Sequence, residues 1–486
     1  MDSRKRLILI LCCLAQFMVV LDIAIVNVAL PSIQSDLGLK ESALQWVVIA
    51  YGLMLGGFLL LGGRFGDLIG RRKIFLAGIA LFASASFIAG VSQSSQLLIL
   101  ARGLQGFGAA MLAPSALSIL AVTFAEGKER NGVLGIFGAV GGSSASVGVI
   151  ASGLLTDGPG WRWVFFINVP IGIALFIAAF RMLPRDIVAT GMRHYDASGA
   201  ATVTGGLLAL VYGLNRGVDH GWSSGSTLLI FALAIVLLTA FVVVERGSRS
   251  PLVPGSILRN RTLVAANISA FCLTAAFYGF IFLGSLLMQE ILGYSPTRTG
   301  AAWLATSVIA FVAAGITGAQ LVNKFGVRWL IAAGMTALVL SGLLLSRVPA
   351  DARYAVDLLP ALILGGLGIG LCAPSVQIGG LSGARSEGIG LASGLIETNR
   401  EIGGAVGIAA ISTVLVARSN DANHLTDALA RQSAILNGFQ SAYVVIAVIA
   451  AIGLILTLIS FPPTAPDEAL AEINMPGVPA ETPATA

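Results

Sequence analysis

Gly63-Arg64-Phe65-Gly66-Asp67-Leu68-Ile69-Gly70-Arg71-Arg72-Lys73 is the stretch whose reading decides the fold. It sets three glycines, four cations and one carboxylate between two apolar runs, near 44–63 and 74–92. A run of about 20 apolar residues is long enough to cross a ~30 Å hydrocarbon core as a helix. A charged, glycine-rich segment between two such runs reads as a hairpin at a membrane surface. The glycines permit a tight turn and close backbone approach, the basic residues hold the loop at an anionic surface, and Asp67 is suited to accept hydrogen bonds from a helix N-terminus.

The composition extends this reading to the whole chain. Of 486 residues, 56% are hydrophobic and 11% charged, against ~25% charged in soluble domains, which excludes a water-soluble fold. The 59 glycines and long apolar runs indicate a helical bundle rather than a barrel. Spans are expected near 7–31, 44–63, 74–92, 97–120, 132–155, 163–183, 197–215, 226–245, 263–289, 299–322, 328–346, 357–380, 388–416 and 440–461. Arg4-Lys5-Arg6 followed by Leu7 to Val20 has the start of a signal peptide, but the apolar run continues to Pro31 without a clear cleavage site and reads as the first span.

An even number of spans puts both termini on one side, and most lysines and arginines outside the spans fall there. Both termini are therefore expected in the cytoplasm, with the chain in the inner membrane. Trp46, Trp161, Trp163, Trp222 and Trp303 fall near the other boundary, as an interfacial belt requires. The net charge of +5 reflects this topology and calls for no nucleic acid. Cys12, Cys13, Cys272 and Cys372 lie in apolar runs and read as inert thiols, while His194, His220 and His424 lie scattered in connectors. Neither set has the clustering of a metal site, so no metal or other cofactor is expected.

The ends of the chain repeat each other with a period near 260 residues. Gly106-Phe107-Gly108 with Pro114-Ser115 recurs as Gly366-Leu367-Gly368 with Pro374-Ser375. Asp67, Gly70 and Arg72 correspond to Asn323, Gly326 and Arg328, and Gly138 and Gly148 to Gly394 and Gly404. Two six-helix halves follow, at 1–190 and 251–462. Two extra helices lie between them, at 191–250, and a Pro/Ala-rich tail, 463–486, is expected to be disordered.

Four segments carry a family resemblance. They are Leu21-Asp22-Ile23-Ala24-Ile25-Val26-Asn27-Val28-Ala29-Leu30-Pro31, the hairpin Gly63 to Lys73, Ala101-Arg102-Gly103-Leu104-Gln105-Gly106-Phe107-Gly108-Ala109-Ala110, and Trp161-Arg162-Trp163-Val164-Phe165-Phe166-Ile167-Asn168-Val169-Pro170. With them the chain resembles, over nearly its whole length, the fourteen-helix drug:proton antiporter branch (EmrB/QacA type) of the major facilitator superfamily. The resemblance implies an all-α membrane protein of 14 transmembrane helices, in two pseudo-symmetric halves plus two intervening helices. It implies a multidrug efflux function rather than an enzyme: proton-coupled antiport of small lipophilic drugs, antibiotics or a related metabolite by alternating access. The partners would be the substrate, protons and the bilayer, with no nucleic acid, and the protein is taken as a monomer. One departure is that the fifth span reads Gly148-Val149-Ile150-Ala151-Ser152-Gly153, without the Gly-Pro pair usual in exporters. The missing kink is the best support for an importer or facilitator on the same scaffold.

Charges inside spans cost roughly 2.5–3.5 kcal/mol on insertion scales and are rarely kept without a partner or a task. Asp22 lies about 15 residues beyond Leu7, roughly 22 Å at ~1.5 Å per residue, and Arg102 about five residues beyond Leu97, roughly 8 Å from the opposite face. Both fall at nearly one depth, so an ion pair between the first and fourth spans is expected. It would either couple transport to protons or fix packing as a permanent salt bridge. Glu397, Arg400 and Glu401, at helical spacings of three and four, share neighbouring turns, so one acid can be paired while the other is left for a proton or a cationic substrate. The bland alternative is a polar seam between the halves. The resemblance makes Gly63, Asp67, Gly70, Arg71 and Arg72 a latch against the second half; the bland alternative is that the basic residues merely set topology. Asn27, Tyr51, Gln105, Phe137, Tyr278 and Gln289 are candidates for an apolar substrate pocket. The string Gly365-Gly366-Leu367-Gly368-Ile369-Gly370 lies within a span, so it reads as helix packing rather than nucleotide binding. No catalytic set and no ATP-binding loop is present in the sequence.

Overall fold

The computed structural model describes residues 2–39, 41–184, 196–248, 251–382, 388–422 and 428–462. His194, His424 and the 463–486 tail lie outside the described residues, as does the side chain of Asn27. Among the described residues fourteen long helices follow one another. The first half comprises α1 (Ser3–Leu37), α2 (Glu41–Ile69), α3 (Arg71–Gly90), α4 (Ser95–Thr123), α5 (Lys128–Asp157) and α6, which is formed by Trp163–Phe166 and Asn168–Met182. The extra pair is α7 (Ala197–His220) and α8 (Gly225–Gly247). The second half comprises α9 (Arg261–Leu286), α10 (Pro296–Ile316), α11 (Val322–Leu345), α12 (Leu359–Leu381), α13 (Ile389–Ala422) and α14 (Ala428–Ser460).

Among the described residues, twelve of these helices hold a stretch long and apolar enough to span a membrane. α5 packs between α1 and α10, and α7 against α2, α8 and α13. Several helices outrun the expected spans, most clearly α1 and α14, because an apolar run marks only the part of a helix in hydrocarbon. Of the five tryptophans expected at the interface, Trp161 and Trp303 are instead buried, their indoles donating to Asp36 (3.0 Å) and Ser285 (3.1 Å).

The internal repeat is visible in backbone geometry. Gly70 and Gly326, one period apart, both take positive φ (117° and 76°) where the chain turns between helices. Two residues on, Arg72 Nη2 donates to the Phe180 carbonyl (2.6 Å) and Arg328 Nη2 to the Leu458 carbonyl (2.7 Å), tying each hairpin to the last helix of its own half. Pro114 and Pro374 lie inside α4 and α12. Gly78 meets Gly108, and Gly334 meets Gly368, at backbone contact in the two halves.

The halves meet along two seams, α2 with α13 and α5 with α10. On the side that carries both termini the seams are tight. A Cβ at Gly63 would collide with the Gly390 carbonyl, and one at Gly318 with Gly135 and the Asn131 carbonyl. The pair α7 and α8 lies against the first seam. Val211 and Leu208 of α7 fill the space over Gly56 and Gly57 of α2, and Trp222 Nε1 donates to Thr413 Oγ1 of α13 (2.8 Å).

At the opposite side, Asp36 at the end of α1 accepts from Trp161 Nε1 and from Arg162 Nη1 (2.7 Å), and the Arg162 guanidinium lies over the Trp161 ring. The hydrogen bond from Arg162, then that from Trp161, holds the Asp36 carboxyl below its usual range. A carboxyl lowered in the folded state contributes stability that is fully present above the ordinary value of ~3.9 and is lost as pH falls through the depressed one. Hydrogen-exchange protection of the amides around Trp161 is therefore expected to hold at neutral pH and fall on strong acidification, and Asp36→Asn should abolish that acid-dependent loss. Gly326 has open space around the position of a Cβ, so Gly326→Ala tests backbone strain alone. It is expected to cost about 1–3 kcal/mol, seen as a lower Tm in detergent; an unchanged Tm would contradict the positive φ.

Candidate functional site

Asp22 of α1 is fully buried, and three side chains from two other helices converge on it. Arg102 Nη1 of α4 donates to Oδ2, while Gln105 Nε2 of α4 (3.1 Å) and Asn168 Nδ2 of α6 (2.8 Å) donate to Oδ1. Arg102 is itself 2% exposed and also donates through Nε to the Val47 carbonyl of α2 (3.1 Å) and through Nη1 to Gln105 Oε1 (2.9 Å). Gln105 Nε2 further donates to Ser86 Oγ of α3 (2.6 Å). The helical spacing of three places Arg102 and Gln105 on one face of α4, so both reach the same carboxylate. The buried charges are thus paired and hydrogen-bonded, the condition under which burial is tolerated.

Tyr51 of α2 closes this cluster toward the second half. Its ring lies 4.3 Å from the Arg102 guanidinium carbon, a cation–π contact, and its hydroxyl points to the Val19 carbonyl (3.4 Å). It is also within electrostatic reach of Glu401 and Tyr278 across the interface.

On α13, Arg400 Nη1 donates to both oxygens of Glu397 (2.8 and 2.9 Å), one turn away. The Arg400 carbonyl accepts from Thr274 Oγ1 of α9 (2.7 Å), which fixes this turn. Tyr278 packs its ring over Gly404 and lies beside Arg400. Glu401 makes no hydrogen bond or ion pair among the described residues and is left facing Arg400, Glu397 and Tyr51. Of the two acids, Glu397 is the paired one and Glu401 the available one.

The hairpin joins the halves on the terminus side. Asp67, 3% exposed, accepts from the backbone N–H groups of Gly390 (3.1 Å) and Leu391 (2.9 Å) and from Arg71 Nη2 (2.9 Å). Gly390 and Leu391 belong to the first turn of α13, whose N–H groups have no intrahelical acceptor and carry the positive end of the helix dipole. Gly63 allows the approach, and a side chain at Gly390 would press on the Asp67 carboxyl. Gly70 turns the chain into α3, and Arg72 reaches α6 as described. The pseudo-symmetric contact on the other seam is neutral: Asn131 Nδ2 of α5 donates to Asn323 Oδ1 (3.1 Å).

The pocket candidates scatter. Gln105 is committed to Asp22 and Ser86, Phe137 is a core residue (1% exposed), and Gln289 is exposed in the π-helical turn Leu287–Ile291 after α9. Tyr51 and Tyr278 lie between the two charge clusters, each within electrostatic reach of Glu401. Asn168 and Ser86 were not anticipated as members of the site. The signal available was a carboxamide inside an otherwise apolar span, in the quoted segment Trp161 to Pro170.

Two helical halves of long apolar helices, meeting along two seams and carrying paired charges buried within them, are the architecture of a multi-pass membrane transporter for small molecules. The chain belongs to the Major Facilitator Superfamily, whose family model matches residues 12–408. It is 36% identical over 458 residues to the puromycin resistance protein pur8 of Streptomyces alboniger, covering 94% of this chain and 90% of that one. It is 37% identical over 409 residues to the cephamycin export protein CmcT of Amycolatopsis lactamdurans, 84% of each. The human organic anion transporter MFSD10 shares the fold, with a TM-score of 0.67 at 14% identity over 94% of this chain and 100% of that structure.

Removing one member of a buried pair leaves the other charge uncompensated, at a cost of ~3–5 kcal/mol. Arg102→Leu is therefore expected to lower thermal stability in detergent more than the double variant Asp22→Leu/Arg102→Leu. A double variant as unstable as the sum of the two single changes would show that the pair is not energetically coupled.

Proposed function

We propose that the chain is a proton-coupled antiporter that exports small lipophilic drugs, antibiotics or a related metabolite from the cytoplasm by alternating access. The observation that carries this reading is the fully buried Asp22 carboxylate, held by Arg102, Gln105 and Asn168. The names of the two curated relatives, one a resistance protein and one an export protein, support export over uptake despite the missing proline in α5.

Deprotonated Asp22 uses both oxygens to bind α1 to α4 and α6. A proton on Asp22 removes the anion from Arg102, which keeps the Val47 carbonyl, Gln105 and the Tyr51 ring but loses its counter-charge. The new carboxylic O–H in turn needs an acceptor, and Asn168 Oδ1 is a buried acceptor without a partner. Protonation therefore favours a different spacing of α1, α4 and α6, which is the means by which one proton biases the direction the cavity faces. Glu401, across the interface beyond Tyr51, is assigned to a cationic group of the substrate or to a second proton.

Residues 1–190 and 251–462 are assigned to the two moving halves, with 191–250 as the linker pair. The terminus side is assigned to the cytoplasm by its excess of basic residues. On that side Asp67, gripping the start of α13, is the latch that holds the seam shut, and its release accompanies opening inward.

The test uses protein in liposomes loaded with a pH-sensitive dye, an imposed pH gradient, and a panel of lipophilic cations and neutral antibiotics. Proton movement opposite to substrate is expected. Asp22→Asn should insert and fold but lose coupled transport on the order of tenfold or more, the equivalent of ~1.4 kcal/mol of coupling. Movement of both in one direction, or flux indifferent to the gradient, would replace antiport by symport or facilitated uptake. Normal coupled transport by Asp22→Asn would remove that residue from the mechanism.

A further inference from the structure

At their terminus-side ends α9, α13 and α14 leave a groove of about 400 Å³, open along one side and lined by Leu263, Val264, Ile268, Phe271, Leu395 and Leu456. The polar groups in its wall are the amides of Asn267 and Asn399, and these satisfy each other and the backbone. Asn399 Nδ2 donates to Asn267 Oδ1 (2.8 Å) and to the Leu395 carbonyl (2.9 Å), and Asn267 Nδ2 to the Leu263 carbonyl (2.8 Å). The groove therefore asks its occupant for apolar surface. Its α9 wall runs from Leu263 to Cys272, from about 3 to about 17 Å beyond Arg261 at ~1.5 Å per residue. That depth is one leaflet of a ~30 Å core.

The rim has a charge. Arg261 precedes Val264, Ile268 and Cys272 on one face of α9 at spacings of three and four, and Arg259 lies just before it. Both arginines are exposed and make no ion pair or side-chain hydrogen bond among the described residues. Three arginines of the hairpins and connectors on this side are committed instead: Arg64 to the Pro251 carbonyl, Arg72 to Phe180 and Arg328 to Leu458. Two uncommitted guanidiniums at head-group level, directly above an apolar slot in the same leaflet, match an amphiphile with a negative head and a hydrocarbon tail. An empty slot of this size in hydrocarbon would forfeit the dispersion contacts of its walls.

We propose that this groove binds a bilayer phospholipid with an anionic head group, one acyl chain lying between α9, α13 and α14 and the phosphate held by Arg261 and Arg259. The site is separate from the transport path: Asn399 and Leu395 face the groove, whereas Glu397 and Arg400 pair with each other elsewhere on α13.

The experiment places the full chain in phosphatidylcholine nanodiscs containing a small fraction of phosphatidylglycerol with a diazirine near the end of one acyl chain. After photolysis, crosslinked peptides are mapped by mass spectrometry, with a matched phosphatidylcholine probe as the reference. Crosslinks are expected to concentrate in segments 263–272, 395–399 and 452–456. Val264→Trp, or Leu456→Trp should the first fail to fold, fills the groove and should remove that excess. Arg259→Gln/Arg261→Gln should keep the local crosslinks while cutting the preference for phosphatidylglycerol by about fivefold per arginine. Labelling spread evenly over lipid-facing helices such as α8, an excess that survives both tryptophan variants, or equal labelling by the two head groups would overturn the proposal. Loss of label on adding a transported drug would assign the groove to substrate instead, and crosslinking between two copies at these residues would assign it to an oligomer contact.

Discussion

A carboxylate in hydrocarbon has to be solvated by the protein itself, and the first half of this molecule is arranged around that demand. Asp22 draws donors from α4 and α6, Arg102 draws further acceptors from α2, and Gln105 extends the network to α3. Helices that otherwise have only small residues and lipid-like side chains to hold them together gain one fixed relative position from a single buried charge. Among its described residues the second half has no equivalent: the position matching Arg102 is Leu362, and its intrahelical charge cluster sits on α13. One half is organised internally by charge, and the other presents charge to its partner.

Glycine sets where the halves can touch. Gly63 against Gly390 and Gly135 against Gly318 bring backbones together on the terminus side, and only at such an approach does the Asp67 carboxylate reach the free N–H groups of α13. The two seams differ in kind: the first is held by an anion on a helix terminus, the second by one amide on another. The seam with the charged contact is also the one flanked by α7.

Much of this was legible before any coordinates. The number of helices, the two halves, the extra pair and the Asp22–Arg102 pairing all follow from apolar runs, a repeat and depth counted along helices, which are one-dimensional properties. The three-and-four spacing of Glu397, Arg400 and Glu401 implied one acid paired with the arginine and one left over, but not which; that depends on rotamers. Gln105 looked like a pocket residue because a lone amide in a span carries no mark of direction, whereas the turn that joins it to Arg102 sends it to Asp22. Asn168 and Ser86 escaped notice because neutral polar residues barely disturb an apolar run. Phe137, found in the core, and Gln289, found exposed, show the related limit that aromatic or amide character says nothing about whether a residue faces core, cavity or water. The added lengths of α1 and α14 were hidden because hydropathy ends where lipid ends, while hydrogen-bonded helix does not.

The inserted pair α7 and α8 has a consequence that is a matter of parity. Each half has a hairpin whose glycine turn and arginine must lie on the same face of the bilayer for the Asp67 and Asn323 contacts to form side by side. A single inserted helix would deliver the second half upside down and send its hairpin to the far face. Two helices cross out and back, leave the handedness of the duplication untouched, and impose no geometry of their own on the halves. The pair is therefore topologically neutral, and its sequence is left free to serve packing, which is why a threonine- and glycine-bearing helix such as α7 can rest over Gly56 and Gly57 of α2 while Trp222, in the turn that follows it, reaches across to Thr413 of α13.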